Sequence, residues 1–82
     1  MDEMERTILD YVKREYLEED HEITPDTPLI SSGIVDSFSM VSLKRFLEKK
    51  YAISIPDDRA TPEAFDTVKK ICQLVRAIQE GR

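Results

Sequence analysis

Ser37 stands where a hydroxyl can be put to chemical use. It follows Gly33-Ile34-Val35-Asp36 and precedes Phe38, where a stretch without period gives way to an apolar stripe at helical spacing. A hydroxyl at a helix start lies among backbone N–H groups without intrahelical partners, and the helix dipole there favours an anion. A phosphate carried on this oxygen would be stabilised. Asp36 places a carboxylate beside it, suited to holding a divalent metal during phosphoryl transfer. Gly33 lets the chain turn tightly ahead of the helix. The same residues also satisfy a plainer requirement, because Asp or Ser before an apolar periodic run is an ordinary N-cap.

The other chemistry-bearing residues carry less. Cys72 is the one cysteine and His21 the one histidine, which excludes an internal disulfide and leaves no ligand set for a closed zinc site. Cys72 falls on an apolar stripe and reads as a small buried hydrophobe. His21 sits in an acidic loop and tunes local charge. Glu18-Glu19-Asp20 and Asp57-Asp58 lack the spacing of a calcium loop, so no metal site is expected. Tyr11, Tyr16 and Tyr51 read as core-edge aromatics with wet hydroxyls.

The whole chain bounds what these residues can do. Its 82 residues make one small domain, 1–82, with room for one modest core and little for a cleft holding its own acid, base and nucleophile. Lys and Arg number 12 against 17 Asp and Glu, and the net charge of -5 argues against a nucleic-acid binder. No apolar run approaches the roughly 18 residues of a membrane span. The opening MDEMERTILD lacks the basic-then-apolar pattern of a secretory signal, so a cytoplasmic monomer is expected. The charge is a mosaic: residues 1–20 hold eight acids and three bases, whereas residues 37–51 hold Lys44, Arg45, Lys49 and Lys50 against Glu48 alone.

Three longer helices and one short one must position Ser37. Met4, Ile8, Tyr11, Val12 and Tyr16, widened by Leu9 and Leu17, predict an amphipathic helix over about residues 3–18, with Asp2, Glu3 and Glu5 at its start. Residues 19–36 form a long loop broken by Pro25 and Pro28, which Leu29, Ile30, Ile34 and Val35 pin across the core. A second helix begins at Asp36-Ser37 with the stripe Phe38, Val41, Leu43, Phe46, Leu47 and Tyr51. Ile53-Ser54-Ile55-Pro56 is an extended connector whose isoleucines plug the core. Thr61-Pro62-Glu63 reads as the cap and start of a short third helix. After a second cap at Asp66-Thr67, Val68, Ile71, Cys72, Val75 and Ile78 stripe the last helix, with Gly81 past its end. The expected fold is an all-α four-helix bundle with one long crossing loop.

The segment GIVDSFSMVSLKRFLEKKYAISIPD resembles the acyl carrier and peptidyl carrier protein family. Asp36-Ser37-Phe38 is similar to that family's Asp-Ser-Leu motif at the start of the second helix. Asp26-Thr27-Pro28-Leu29 followed by Gly33 resembles its first loop. Tyr51 and Ile55-Pro56-Asp57 resemble an aromatic and an Ile-Pro-Asp turn, and Thr61-Pro62-Glu63-Ala64-Phe65 resembles the short third helix of stand-alone carriers. The likeness runs over about residues 4–78.

The resemblance implies that a phosphopantetheinyl transferase, using coenzyme A and Mg²⁺, attaches 4'-phosphopantetheine to Ser37 beside Asp36. The arm's thiol then carries acyl intermediates as thioesters, received from a loading ligase and passed to acyl-accepting enzymes. The carrier itself catalyses nothing, and the lack of a His or Lys adjoining Ser37 agrees with that. The implied docking face is Phe38, Ser39, Met40, Lys44 and Arg45. Phe38, Val41, Phe46, Leu47, Ile55, Phe65, Val68, Ile71 and Val75 are the implied candidate walls of an acyl pocket, though the plainer reading of each is a closed core.

This sequence departs from the fatty acid synthesis carriers in one respect: their second helix is acidic and this one is basic. Like-charge contacts would disfavour their partners, so a specialised carrier with dedicated enzymes is expected. An aminoacyl or peptidyl carrier shares every feature of the fold, and an unmodified helical interaction domain would keep the fold without the arm.

Overall fold

A computed structural model describes residues 2–17 and 22–81. His21 and the Glu18-Glu19-Asp20 run lie outside the described residues. The described residues contain three α-helices, α1 (Glu3–Tyr16), α2 (Ser37–Tyr51) and α3 (Val68–Gln79), and no strand.

Each helix starts on the residue chemistry expected of it. Asp2 caps α1 in a reciprocal box: its Oδ1 accepts the Glu5 N–H at 2.8 Å, and Glu5 Oε1 accepts the Asp2 N–H at 3.3 Å. The Asp2 carboxylate also pairs with Arg76, tying the start of α1 to α3. The Thr67 hydroxyl accepts the Lys70 N–H at 3.0 Å and caps α3. α1 ends at Tyr16, two residues short of expectation, because Leu17 turns extended and packs on the core.

The core is one cluster. Ile8, Leu9 and Val12 of α1 meet Leu43 and Leu47 of α2 and Val68, Ile71, Cys72, Leu74 and Val75 of α3. Ile23, Leu29 and Val35 come from the long loop, Ile55 from the connector and Phe65 from the turn before α3. Loop and connector thus act as expected, with Ile30, Ile34 and Ile53 packing at the edge of the cluster. Cys72 is buried, and desolvation pushes its thiol up to about 11.

The fourth helix is not formed. Residues 62–65 make hydrogen-bonded turns. Thr61 accepts the Ala64 N–H on its hydroxyl at 3.1 Å and the Phe65 N–H on its carbonyl at 3.2 Å. The turn goes no further because Thr67 must be extended to cap α3, at φ -135 and ψ 155, leaving no length in which a helix can propagate.

The stripe expected on α2 also differs. Leu43 and Leu47 alone are buried, whereas Phe38 is 85% and Val41 53% exposed. At 100° per residue Phe38 and Val41 fall opposite Leu43 and Leu47, so a 15-residue helix cannot bury both sets against one core.

Candidate functional site

The long loop is held in place before α2 begins. Pro25 accepts the Lys69 N–H on its carbonyl at 3.0 Å. Asp66 then clasps the next stretch: its Oδ1 accepts the N–H groups of Ile30 and Ser31, both at 2.9 Å, and its Oδ2 accepts the Ser31 hydroxyl at 2.7 Å. These bonds, the Ser31 hydroxyl foremost, hold the Asp66 carboxyl below its ordinary value. The Val35 N–H donates to the Leu29 carbonyl at 2.9 Å, with both side chains buried. Between them Gly33 takes φ +85, a left-handed turn that a side chain would strain.

Asp36 is the N-cap of α2. Its Oδ1 accepts the Ser39 N–H at 2.8 Å and its carbonyl accepts the Met40 N–H at 2.8 Å. The Ser39 amide chiefly holds the Asp36 carboxyl below its ordinary value. The capping role available to either residue therefore falls to Asp36, and Ser37 is left as the first helical residue. Ser37 is exposed, and its hydroxyl makes no hydrogen bond to any described residue. The Ser39 amide is occupied by Asp36 and the Phe38 amide also favours that carboxylate, so an anion on Ser37 would meet the helix dipole and share this first turn with Asp36.

Tyr16, at the end of α1, reaches this same turn. Its phenol donates to the Ser39 carbonyl at 3.1 Å, and burial raises its pKa. Its hydroxyl is thus a structural donor rather than a wet one. Tyr11 beside it stacks on Phe46 of α2, with ring centroids 3.8 Å apart and planes at 9°.

The structure sorts the other expected residues. Phe38, next to Ser37, and Arg45, two turns further along α2, are exposed, as a docking face requires. Met40, expected on the docking face, is half-buried and packs against the core. Ser39 is also half-buried, because its carbonyl faces Tyr16. Lys44 pairs with Asp57 at 3.1 Å. Of the candidate pocket walls, Leu47, Ile55, Phe65, Val68, Ile71 and Val75 are buried together in the core. Val41 faces solvent and is no wall, and Phe46 is half-buried, bordering a surface cleft of about 350 Å³ with Lys49 and Lys50. Among the described residues no group of three His, Cys, Asp or Glu is placed to hold a metal. No described helix is long and apolar enough to cross a membrane.

Sequence reasoning missed Tyr16 and Asp66 as site-positioning residues. Periodicity put Tyr16 at a core edge, and Asp66 looked like a helix cap. Their reach to Ser39 and Ser31 spans 23 and 35 residues, and no local pattern carries it.

The structure thus shows an exposed, uncommitted serine at a capped helix start, delivered by a pinned loop in a small helical fold. Residues 6–75 match the family described as "Phosphopantetheine attachment site". The chain belongs to this family, that of the acyl and peptidyl carrier proteins, and is a carrier rather than an enzyme. It is similar to the acyl carrier proteins of Rickettsia massiliae (strain Mtu5) and Rickettsia prowazekii (strain Madrid E). Each is 29% identical over 79 residues, covering 96% of this chain and 86% of the relative.

Proposed function

We propose that the whole chain is one acyl carrier domain, a cytoplasmic monomer, bearing 4'-phosphopantetheine on the Ser37 Oγ and passing acyl thioesters between enzymes. The observation that carries this reading is the exposed Ser37 hydroxyl, free of any described partner, immediately after the Asp36 cap in a chain of the phosphopantetheine attachment family. A phosphopantetheinyl transferase would install the arm from coenzyme A with Mg²⁺. When bound, the arm supplies the thiol on which cargo rides.

The chain's own residues supply position. Asp36 fixes the first turn of α2 and offers its outer oxygen to the transferase's metal. The pinned loop holds Ser37 at the surface, so a transferase meets it without unfolding the domain. Phe38 and Arg45 form the near docking face, with Lys44, Ser39 and Met40 behind it. Leu47, Ile55, Phe65, Val68, Ile71 and Val75 would line the space for an acyl chain, which must part this core to enter. A loading ligase and an acyl-accepting enzyme complete the cycle.

The test is intact mass after incubation with a phosphopantetheinyl transferase, Mg²⁺ and coenzyme A. One phosphopantetheine increment is expected on the natural chain and none on Ser37→Ala. An unchanged mass with every transferase tried, or an increment that survives Ser37→Ala, would overturn the proposal. Loading of the modified chain by an acyl ligase but not by an aminoacyl ligase then decides the cargo class.

A further inference from the structure

Resting on Ser37 as the attachment point, we infer that the outward face of α2 docks on partner enzymes presenting carboxylates around an apolar socket. Phe38, Val41, Arg45 and Lys49 share this face, within an arc of about 80° opposite Leu43 and Leu47. The apolar pair lies in the first turns beside Ser37, 85% and 53% exposed. Arg45 follows about 12 Å and Lys49 about 18 Å along the helix from Ser37.

The two cations of this face are unspent. Arg45 and Lys49 are exposed and have no ion-pair partner among the described residues, whereas Lys44 beside them is matched by Asp57. The one acid of α2, Glu48, is half-buried and accepts the Ile55 N–H at 2.8 Å, so it is turned to the connector. The face is therefore apolar near the attachment point and cationic beyond it, and its complement is an apolar hollow with carboxylates to one side.

Charge argues against a second copy, since two such faces would oppose their own cations. Two free cations and two apolar side chains also fall short of the four to eight clustered bases with which an anionic lipid surface is bound.

The test uses the full chain and a phosphopantetheinyl transferase whose carrier-docking face is known, in two forms: as found, and with two basic docking residues replaced by Glu. The acid-faced form should modify Ser37 with a kcat/KM about tenfold above that of its parent at low salt. The preference should reverse on the double variant Arg45→Glu, Lys49→Glu, and vanish at about 0.5 M salt, where screening is strong. Phe38→Ala should lower kcat/KM for both forms while leaving the thermal midpoint unchanged. Modification with no charge preference, or a preference indifferent to the double variant, overturns the docking inference alone. No modification by either form, with the mass also unchanged under every other transferase tried, overturns the attachment reading and this inference with it. Salt-sensitive co-sedimentation with phosphatidylglycerol vesicles, lost in the double variant, would overturn it in favour of a lipid surface.

Discussion

The Tyr16 phenol and the Ser39 carbonyl are joined at 3.1 Å, so the last turn of α1 holds the first turn of α2, two residues beyond Ser37. The bond is partly buried and the neutral phenol is its donor. Burial, with Tyr11 nearby, raises the Tyr16 pKa above the ordinary 10.0. A raised folded pKa means the unfolded chain deprotonates first, so this stabilisation is complete below pH 10 and is lost as pH climbs above it. Tyr16→Phe should cost about 1 kcal/mol at neutral pH, or roughly 4–8 °C in thermal midpoint. It should also flatten the loss of stability above pH 10, which thermal melts across an alkaline series will show.

Asp66 controls the loop on the other side of Ser37. Hydrogen bonds from Ser31, Ile30 and Leu29 depress its pKa below the ordinary 3.8. A depressed folded pKa gives stability that is present above 3.8 and fades as pH falls through the folded value. Asp36 and Asp2 are depressed as well, so acid should destabilise the domain through all three. Asp66→Ala should cost about 1–2 kcal/mol at pH 7, where solvent screens the carboxylate in part, and progressively less as pH falls below 3.8 through the folded value. Urea titrations across an acidic pH series measure the change, and a cost that does not fall with pH would contradict the clasp.

Phe65 and Phe38 should behave oppositely. Phe65 is fully buried, and Phe65→Ala should cost about 3–5 kcal/mol, enough to unfold much of a small domain. Phe38 is exposed, and Phe38→Ala should shift stability by less than about 0.5 kcal/mol. Chemical denaturation of both variants distinguishes a core residue from a docking residue on one axis.

Ala52 ends α2 at φ 53 and ψ 48, in the left-handed region where a side chain is strained. Its N–H reaches back to the Glu48 carbonyl, so the conformation is fixed by the cap. Ala52→Gly should therefore stabilise the protein by about 1 kcal/mol, seen as a higher midpoint in denaturant with an unchanged slope.

Much was legible in the residues themselves. Capping chemistry is local, so Asp36, Thr67 and the acidic start of α1 announced where helices begin. The stripes of α1 and α3 are single-faced, and their buried sets follow from spacing alone. The carrier motif, the Ile-Pro-Asp turn and the placement of Ser37 at a helix start are contiguous patterns that need no partner to be read.

Other features depend on which surfaces face one another. α2 carries apolar residues on two opposite sides, and periodicity cannot say which side meets the core; the positions of α1 and α3 chose Leu43 and Leu47, leaving Phe38 and Val41 outside. The turn at 62–65 had helix signals at both ends but too little chain between two caps to grow. The bonds that fix Ser37 in space, Tyr16 to Ser39 and Asp66 to Ser31, close long loops whose entropic cost is recovered only when the whole core assembles. Sequence alone determined which hydroxyl starts a helix. Packing of distant segments decided that this hydroxyl is held at the surface, beside an apolar and cationic face.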